Sequence, residues 1–239
     1  MVGENKKYYK ALLKEPYMKS QYSDMVYEMN HTYKLDKDKK VKMYDNGFHY
    51  TDNIYLLPLW YTPDTYYIFE VIPSGEIEFD ETEHKYCSEE LTIIRQLGDD
   101  EIENLYKENR NIIIYNPNPN FRKAAVRLGR PDDLEVLIKD GNDIVKKEFI
   151  FQSYGIDRYG LYQKYLSILV NDESEYIRAI VASFGLYHHI LINDESWFVR
   201  NEVAKHTNNH DYLYKLLKDE DPMVRETASK ILKLKGMRY

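Results

Sequence analysis

The segment Asp194–Ala204, DESWFVRNEVA, decides the architecture because its pattern recurs on both sides of it. Five segments come into register on an acid or amide: Asn116, Asp140, Asp172, Asp194 and Asp219. Two positions later every copy has a residue of helix N-cap type (Asn118, Asn142, Ser174, Ser196, Asp221), whose side-chain oxygen can accept from the open amides of a first helical turn. Six positions after the register residue comes a base (Arg122, Lys146, Arg178, Arg200, Arg225), preceded by an apolar residue (Phe121, Val145, Ile177, Val199, Val224). Pro119 and Pro222 follow their caps, where a helix tolerates proline best. Upstream, two more apolar columns hold: Ile113, Leu137, Leu169, Leu191, Leu216, and Ile114, Ile138, Val170, Ile192, Leu217. Register spacings of 24, 32, 22 and 25 residues leave room for two short helices and a turn per unit. Such a unit cannot bury its apolar stripe alone, so the pattern predicts stacked helical repeats.

The motif L-x-x-D-x-x-x-x-V-R-x-x-x-A resembles HEAT-type repeats. The copy KHTNNHDYLYKLLKDEDPMVRETAS (205–229) is also similar to the leucine-rich repeat variant, a HEAT relative. The resemblance covers 109–239 as five units. It implies a ladder in which Asp140, Asp172, Asp194 and Asp219 pair with bases of their own or a neighbouring repeat. The bases are then structural, and Lys146, which lacks the planar fork of arginine, is the weaker rung.

Upstream, residues 5–29 have helix-like apolar spacing at Tyr9, Leu12 and Leu13, broken at Pro16, and LDKDKKVK reads as a link ending near residue 40. Residues 41–97 read as strands: YYIFEVI (66–72), a PSG turn (73–75), EIEFD (76–80) as the second arm of a hairpin, and LTIIRQL (91–97). DDEIENLYKENRNIII (99–114) returns to helix. The expected fold is α+β: a helical segment 1–40, a small acidic β-rich domain 41–108, and an α-helical HEAT-like solenoid 109–239. The stretches GFHY, YYIFEV, SGEIEFD and KYCSEELTIIRQL are similar to an uncharacterised domain of bacteriophage and mobile-element proteins, which implies a phage setting and no particular activity.

Charge is unevenly spread. Residues 1–43 carry ten bases and six acids, 44–115 four and sixteen, and 116–239 nineteen and eighteen, for a net −7. An acidic middle and a neutral repeat segment argue against a broad basic track for nucleic acid and suit solvation or a basic protein partner. One cysteine, Cys87, excludes an internal disulfide. With no long apolar run and no apolar core near the start, a cytoplasmic protein is expected.

Chemistry is sparse. Metal motifs, a G-x-S-x-G elbow and phosphate-binding glycine loops are absent from the sequence, so no cofactor is implied. GFHYTDN (47–53) bears a likeness to the NAD-stacking stretch of some ADP-ribosyltransferases, which implies Phe48, His49 or Tyr50 against the nicotinamide and Glu76 or Glu78 on the ribose. The plain alternative is a turn with aromatic core residues.

The unit from 140 to 172 is longer than its neighbours by about eight residues, and the extra falls in QSYGIDRYGLYQKY (152–165). Tyr154, Arg158, Tyr159 and Tyr162 there, and Trp197 just past a cap, are candidate partner-binding residues, being of the types that dominate interface hot spots. The alternative is that they cover the adjacent repeat. The expected function is a non-enzymatic protein-interaction module with a basic partner, in its most concrete form an inhibitor of a host defence nuclease such as a CRISPR effector. The rivals are an ADP-ribosyltransferase-like enzyme and a HEAT-like nucleic-acid binder.

Overall fold

The computed structural model describes residues 6–61, 65–153 and 159–236. They divide into two compact units, residues 1–134 and 135–239.

The first unit is built on an antiparallel sheet of β1 (Tyr8–Leu13), β2 (Thr32–Lys34), β3 (Phe48–Tyr50), β4 (Tyr66–Asp80) and β5 (Lys85–Gln96). The order is β1-β4-β5-β2, with β3 pairing a different part of β5. The sheet curls back on itself, because Thr51, just after β3, exchanges both backbone hydrogen bonds with Tyr9 of β1 at 2.7 and 2.9 Å. Aromatic and aliphatic side chains line the inside: Tyr8, Leu12, Phe48, Tyr50, Phe69, Val71, Tyr86, Leu91 and Ile93 belong to one buried cluster. A 3₁₀ helix (Ile54–Leu59) follows β3 and packs on α1 (Asp99–Ile114) and α2 (Pro119–Leu128); Tyr55 donates its hydroxyl to the Tyr106 carbonyl at 2.8 Å.

Two expectations are corrected here. The segment 1–40 is not a helical lead-in: YYKALL is β1, paired residue by residue with β4 from Tyr8↔Val71 to Leu13↔Tyr66, and its first five residues are all buried. Pairing with a strand far along the chain outweighs the helix-like spacing of Tyr9, Leu12 and Leu13. Nor is PSG a hairpin turn. β4 runs through it as one strand, with a register shift between Ser74 and Ile77, and the hairpin turns instead at residues 81–84. Gly75, at φ +76°, accommodates the irregularity.

The helix α3 (Pro131–Leu137) spans the division between the units. Beyond it come α4 (Asp143–Ser153), α5 (Tyr159–Leu169), α6 (Glu175–Ser183), α7 (His188–Leu191), α8 (Trp197–His206), α9 (His210–Leu216) and α10 (Pro222–Leu234). The helices α4, α6, α8 and α10 pack in that sequence, each on the next. The apolar columns are the core: Leu137, Leu169, Leu191 and Leu216 from one, and Val145, Ile177, Val199 and Val224 from another, are each at most 1% exposed. Among the described residues, no helix is long and apolar enough to cross a membrane.

Candidate functional site

The register acids hold the second unit together through two kinds of bond. Asp172, Asp194 and Asp219 each accept from the backbone amide two residues on (Ser174, Ser196, Asp221) at 2.9–3.0 Å, which turns the chain into the next helix. The caps follow: Asn142, Ser196 and Asp221 accept from the amides of Ile144, Phe198 and Met223. Ser174 departs from this and donates its hydroxyl to Asp143 at 2.8 Å.

Each acid also receives the base of the preceding copy. Arg178 grips Asp194 through Nε and Nη2 at 2.7 and 2.8 Å, and Arg200 grips Asp219 the same way at 2.8 and 2.8 Å. The remaining Nη1 donors go back to the carbonyls that open each arginine's own copy, Asp172 and Glu173 for Arg178, Asp194 and Glu195 for Arg200. With a further contact from Nη2 to Glu195 or Glu220, all five N–H groups of each guanidinium are engaged. Burial, the largest single effect, opposes the ionisation of Asp219, yet the hydrogen bonds from Arg200 and the Asp221 amide and the charges of Arg200 and Arg225 together hold its carboxyl below the usual range. Lys146 reaches Asp172 at 2.8 and 3.0 Å as a point charge. Arg225 and Arg122, at the ends of the pattern, return to the carbonyls of their own register residues, Asp219 and Asn116. The Lys146–Asp172, Arg178–Asp194 and Arg200–Asp219 pairs are largely screened from solvent and occupied by the chain itself.

Surface character lies one position away. The residues four past the register, Ile144, Tyr176, Phe198 and Met223, stand at the starts of α4, α6, α8 and α10; Ile144, Tyr176 and Met223 are 49%, 62% and 52% exposed, and Phe198 is half-buried. The Tyr176 and Phe198 rings meet edge to face at 5.8 Å, and Trp197, 45% exposed, packs its ring near Phe198. Ser196 donates to Glu175 across the same two helix starts. Beside this apolar row run Glu173, Glu195 and Glu220, the last two almost fully in solvent. The result is an aromatic ridge with an acidic flank.

Of the partner-binding candidates, Trp197 lies on this ridge. Tyr154, Arg158 and the side chain of Tyr159 fall outside the described residues. Tyr162 is corrected: it is fully buried, edge to face with Phe149, and fills the core of the unit instead of reaching outward. Tyr176, Phe198 and Met223 were missed, though their column was readable. Of two adjacent apolar columns, about 100° apart on the helix, the one five past the register lies in the core and the one four past it lies at the edge of the apolar stripe.

In the sheet unit, Phe48 and Tyr50 are 5% and 4% exposed, and Tyr50 stacks on Tyr86 at 5.5 Å. Neither ring is open to a nicotinamide. His49, on the opposite face of β3, lines a cavity of about 540 Å³ together with Tyr44, Trp60, Lys10 and Lys85. Its Nε2 accepts from the Tyr44 amide at 3.1 Å, and burial followed by repulsion from Lys10 and Lys85 lowers its pKa to about 4, so it is neutral. Glu78 accepts from the Met43 amide at 2.6 Å, and Glu76 is exposed. Cys87 is buried, its thiol pushed up to about 11 by burial and by Glu78. Among the described residues no group of three metal-binding side chains comes together.

Residues 7–105 match the model of a family described as a domain of unknown function (DUF7666). The match begins at β1 and runs through the sheet into α1, so residues 7–40 go with the sheet in sequence as they do in space. No curated protein matches the chain.

Proposed function

We propose that this protein is a non-enzymatic interaction module whose helical half is a HEAT-like repeat array docking a basic, apolar-rich segment of a partner protein. The observation that carries the reading is the row Ile144, Tyr176 and Met223, joined by Trp197 beside the half-buried Phe198, on the starts of α4, α6, α8 and α10, exposed at 40% or more and flanked by Glu173, Glu195 and Glu220. Apolar side chains exposed along one row gain little for the fold, whereas a partner that covers them gains the burial energy of anchors such as Tyr176 and Trp197. The acidic flank selects the partner's charge: it attracts lysine- and arginine-bearing segments and repels acidic ones, and the attraction weakens with salt. The basic groove of a defence nuclease is one surface of that chemistry.

Display selection of a random peptide library on the intact chain tests this. Enriched peptides should combine basic with aromatic or aliphatic residues, bind more weakly at 0.5 M salt, and lose binding at least tenfold to the Tyr176→Ala/Trp197→Ala variant. Acid-rich winners, or binding indifferent to that double substitution, would overturn the reading. The groove of a purified nuclease effector, offered with and without its guide, is the second arm of the same assay.

A further inference from the structure

Strand alternation sets Lys10 on the same face of β1 as Tyr8 and Leu12, both members of the buried cluster. Its side chain is 6% exposed, its ammonium donates to the His49 carbonyl at 2.7 Å and stands 5.3 Å from the Tyr27 ring centre. An ammonium has three donors, and a charge in such a place is costly unless paired. Lys85, on the same cavity, lies over the Tyr44 and Trp60 rings at 4.9 and 5.0 Å. Among the described residues neither lysine has a carboxylate within ion-pair distance. Of the acids nearby, Glu83 accepts from the Trp60 indole at 3.2 Å and the Tyr44 hydroxyl at 3.0 Å, Asp80 accepts from the same hydroxyl at 2.6 Å, and both favour the charge of Lys85 without pairing with it; Asp45 pairs with Lys42 at 2.9 Å. Lys10 is lowered to about 8 through burial first and Lys85 second, and burial also lowers Lys85, against the pull of Glu83.

We propose that this cavity binds a nucleoside monophosphate, its phosphate held between Lys10 and Lys85 and its base laid against the aromatic walls of Tyr44 and Trp60. Two lysines lining one cavity favour a dianion, which a phosphate monoester supplies at neutral pH and a single carboxylate does not. A cavity of about 540 Å³ falls within the size range of small-molecule sites. Electron-rich rings that now face Lys85 offer a flat surface to a base once the phosphate draws the ammonium away. The site lies wholly within the sheet unit and is independent of the aromatic ridge on the helices.

Titration calorimetry on the full chain at pH 8 with adenosine and uridine monophosphates, adenosine, and inorganic phosphate decides it. At least one nucleotide should bind once per chain, adenosine should not, and phosphate alone should bind at least tenfold more weakly. Runs in two buffers of different ionisation heat should show proton uptake on binding, as Lys10 becomes fully charged. Lys10→Met and Lys85→Gln should each weaken binding at least tenfold; the partly exposed Lys85 gives the answer should the buried site not tolerate substitution. The proposal is overturned if neither nucleotide binds, if phosphate binds as tightly as the nucleotides, or if Lys85→Gln leaves affinity unchanged.

Discussion

Lys10→Met isolates the cost of holding a cation inside the sheet. The folded chain lowers the Lys10 pKa from 10.5 to about 8, burial being the larger cause and Lys85 the second. In the unfolded chain the amine keeps its proton up to its ordinary pKa, so between pH 8 and 10.5 the unfolded state binds more protons and the protein gains stability as pH rises. Below pH 8 both states are protonated and the folded one carries the whole penalty, roughly 3 kcal/mol. Methionine has a similar shape and no charge, so the variant lacks this pH dependence. Its stability relative to the parent should fall by roughly 3 kcal/mol from pH 7 to pH 10.5. The lost hydrogen bond to His49 shifts the whole difference by about 1 kcal/mol and affects its slope far less. Urea unfolding at several pH values measures this directly. Of the two tryptophans, Trp60 lies in the sheet unit and Trp197 in the helical unit, so a Trp197→Phe background confines the fluorescence signal to the unit that holds Lys10. A stability difference that stays level between pH 7 and pH 10 would refute the reasoning, whatever its sign.

The ladder makes a paired prediction. Arg200→Lys keeps the charge but cannot reach Asp219 in two places and both opening carbonyls at once, so it should cost about 2 kcal/mol in thermal or urea unfolding followed at Trp197; the reverse exchange, Lys146→Arg, should stabilise by about 1 kcal/mol. If the two exchanges change stability in the same direction, the fork geometry is not what the rungs supply. Gly47→Ala should cost about 3 kcal/mol, because at φ +130° its new Cβ would lie 2.3 Å from the Cys87 sulfur and 3.1 Å from the Ser88 carbonyl. Gly141→Ala, which meets nothing within 4 Å, serves as the near-neutral control, and equal midpoints for the two variants would contradict the packing around Gly47.

What could be read from the chain in advance follows the range of the forces involved. An acid that folds its own turn, a cap two residues on and a base six residues on are local relations within one helix start, and they repeat. Their spacing therefore survives in the sequence, as the Asp194 and Asp219 turns illustrate. β1 had no such protection. Its partner is β4, nearly sixty residues away, and YYKALL by itself satisfies a helical period as well as a strand one. PSG carries every local mark of a turn, yet Pro73 and Ser74 stay paired with Leu91 and Glu90 because β5 is long enough to hold the strand through the irregularity.

The same mistake hid the cavity. On a helix, Lys10 would be one solvated lysine among the ten of residues 1–43, and nothing would set it apart from Lys7 or Lys14. On β1 it occupies an inward position between Tyr8 and Leu12, where a side chain chosen for stability alone would be apolar. The aromatic ridge shows the complementary exception, apolar side chains at positions where stability alone would accept polar ones, as at Tyr176 and Met223. Both features depart from the pattern that folds the chain, in opposite senses and in different units. A buried charge calls for a ligand that neutralises it, and a row of exposed apolar side chains calls for a surface that covers it. Lys10 and the Tyr176–Trp197 ridge are therefore the positions at which substitution should separate function from folding.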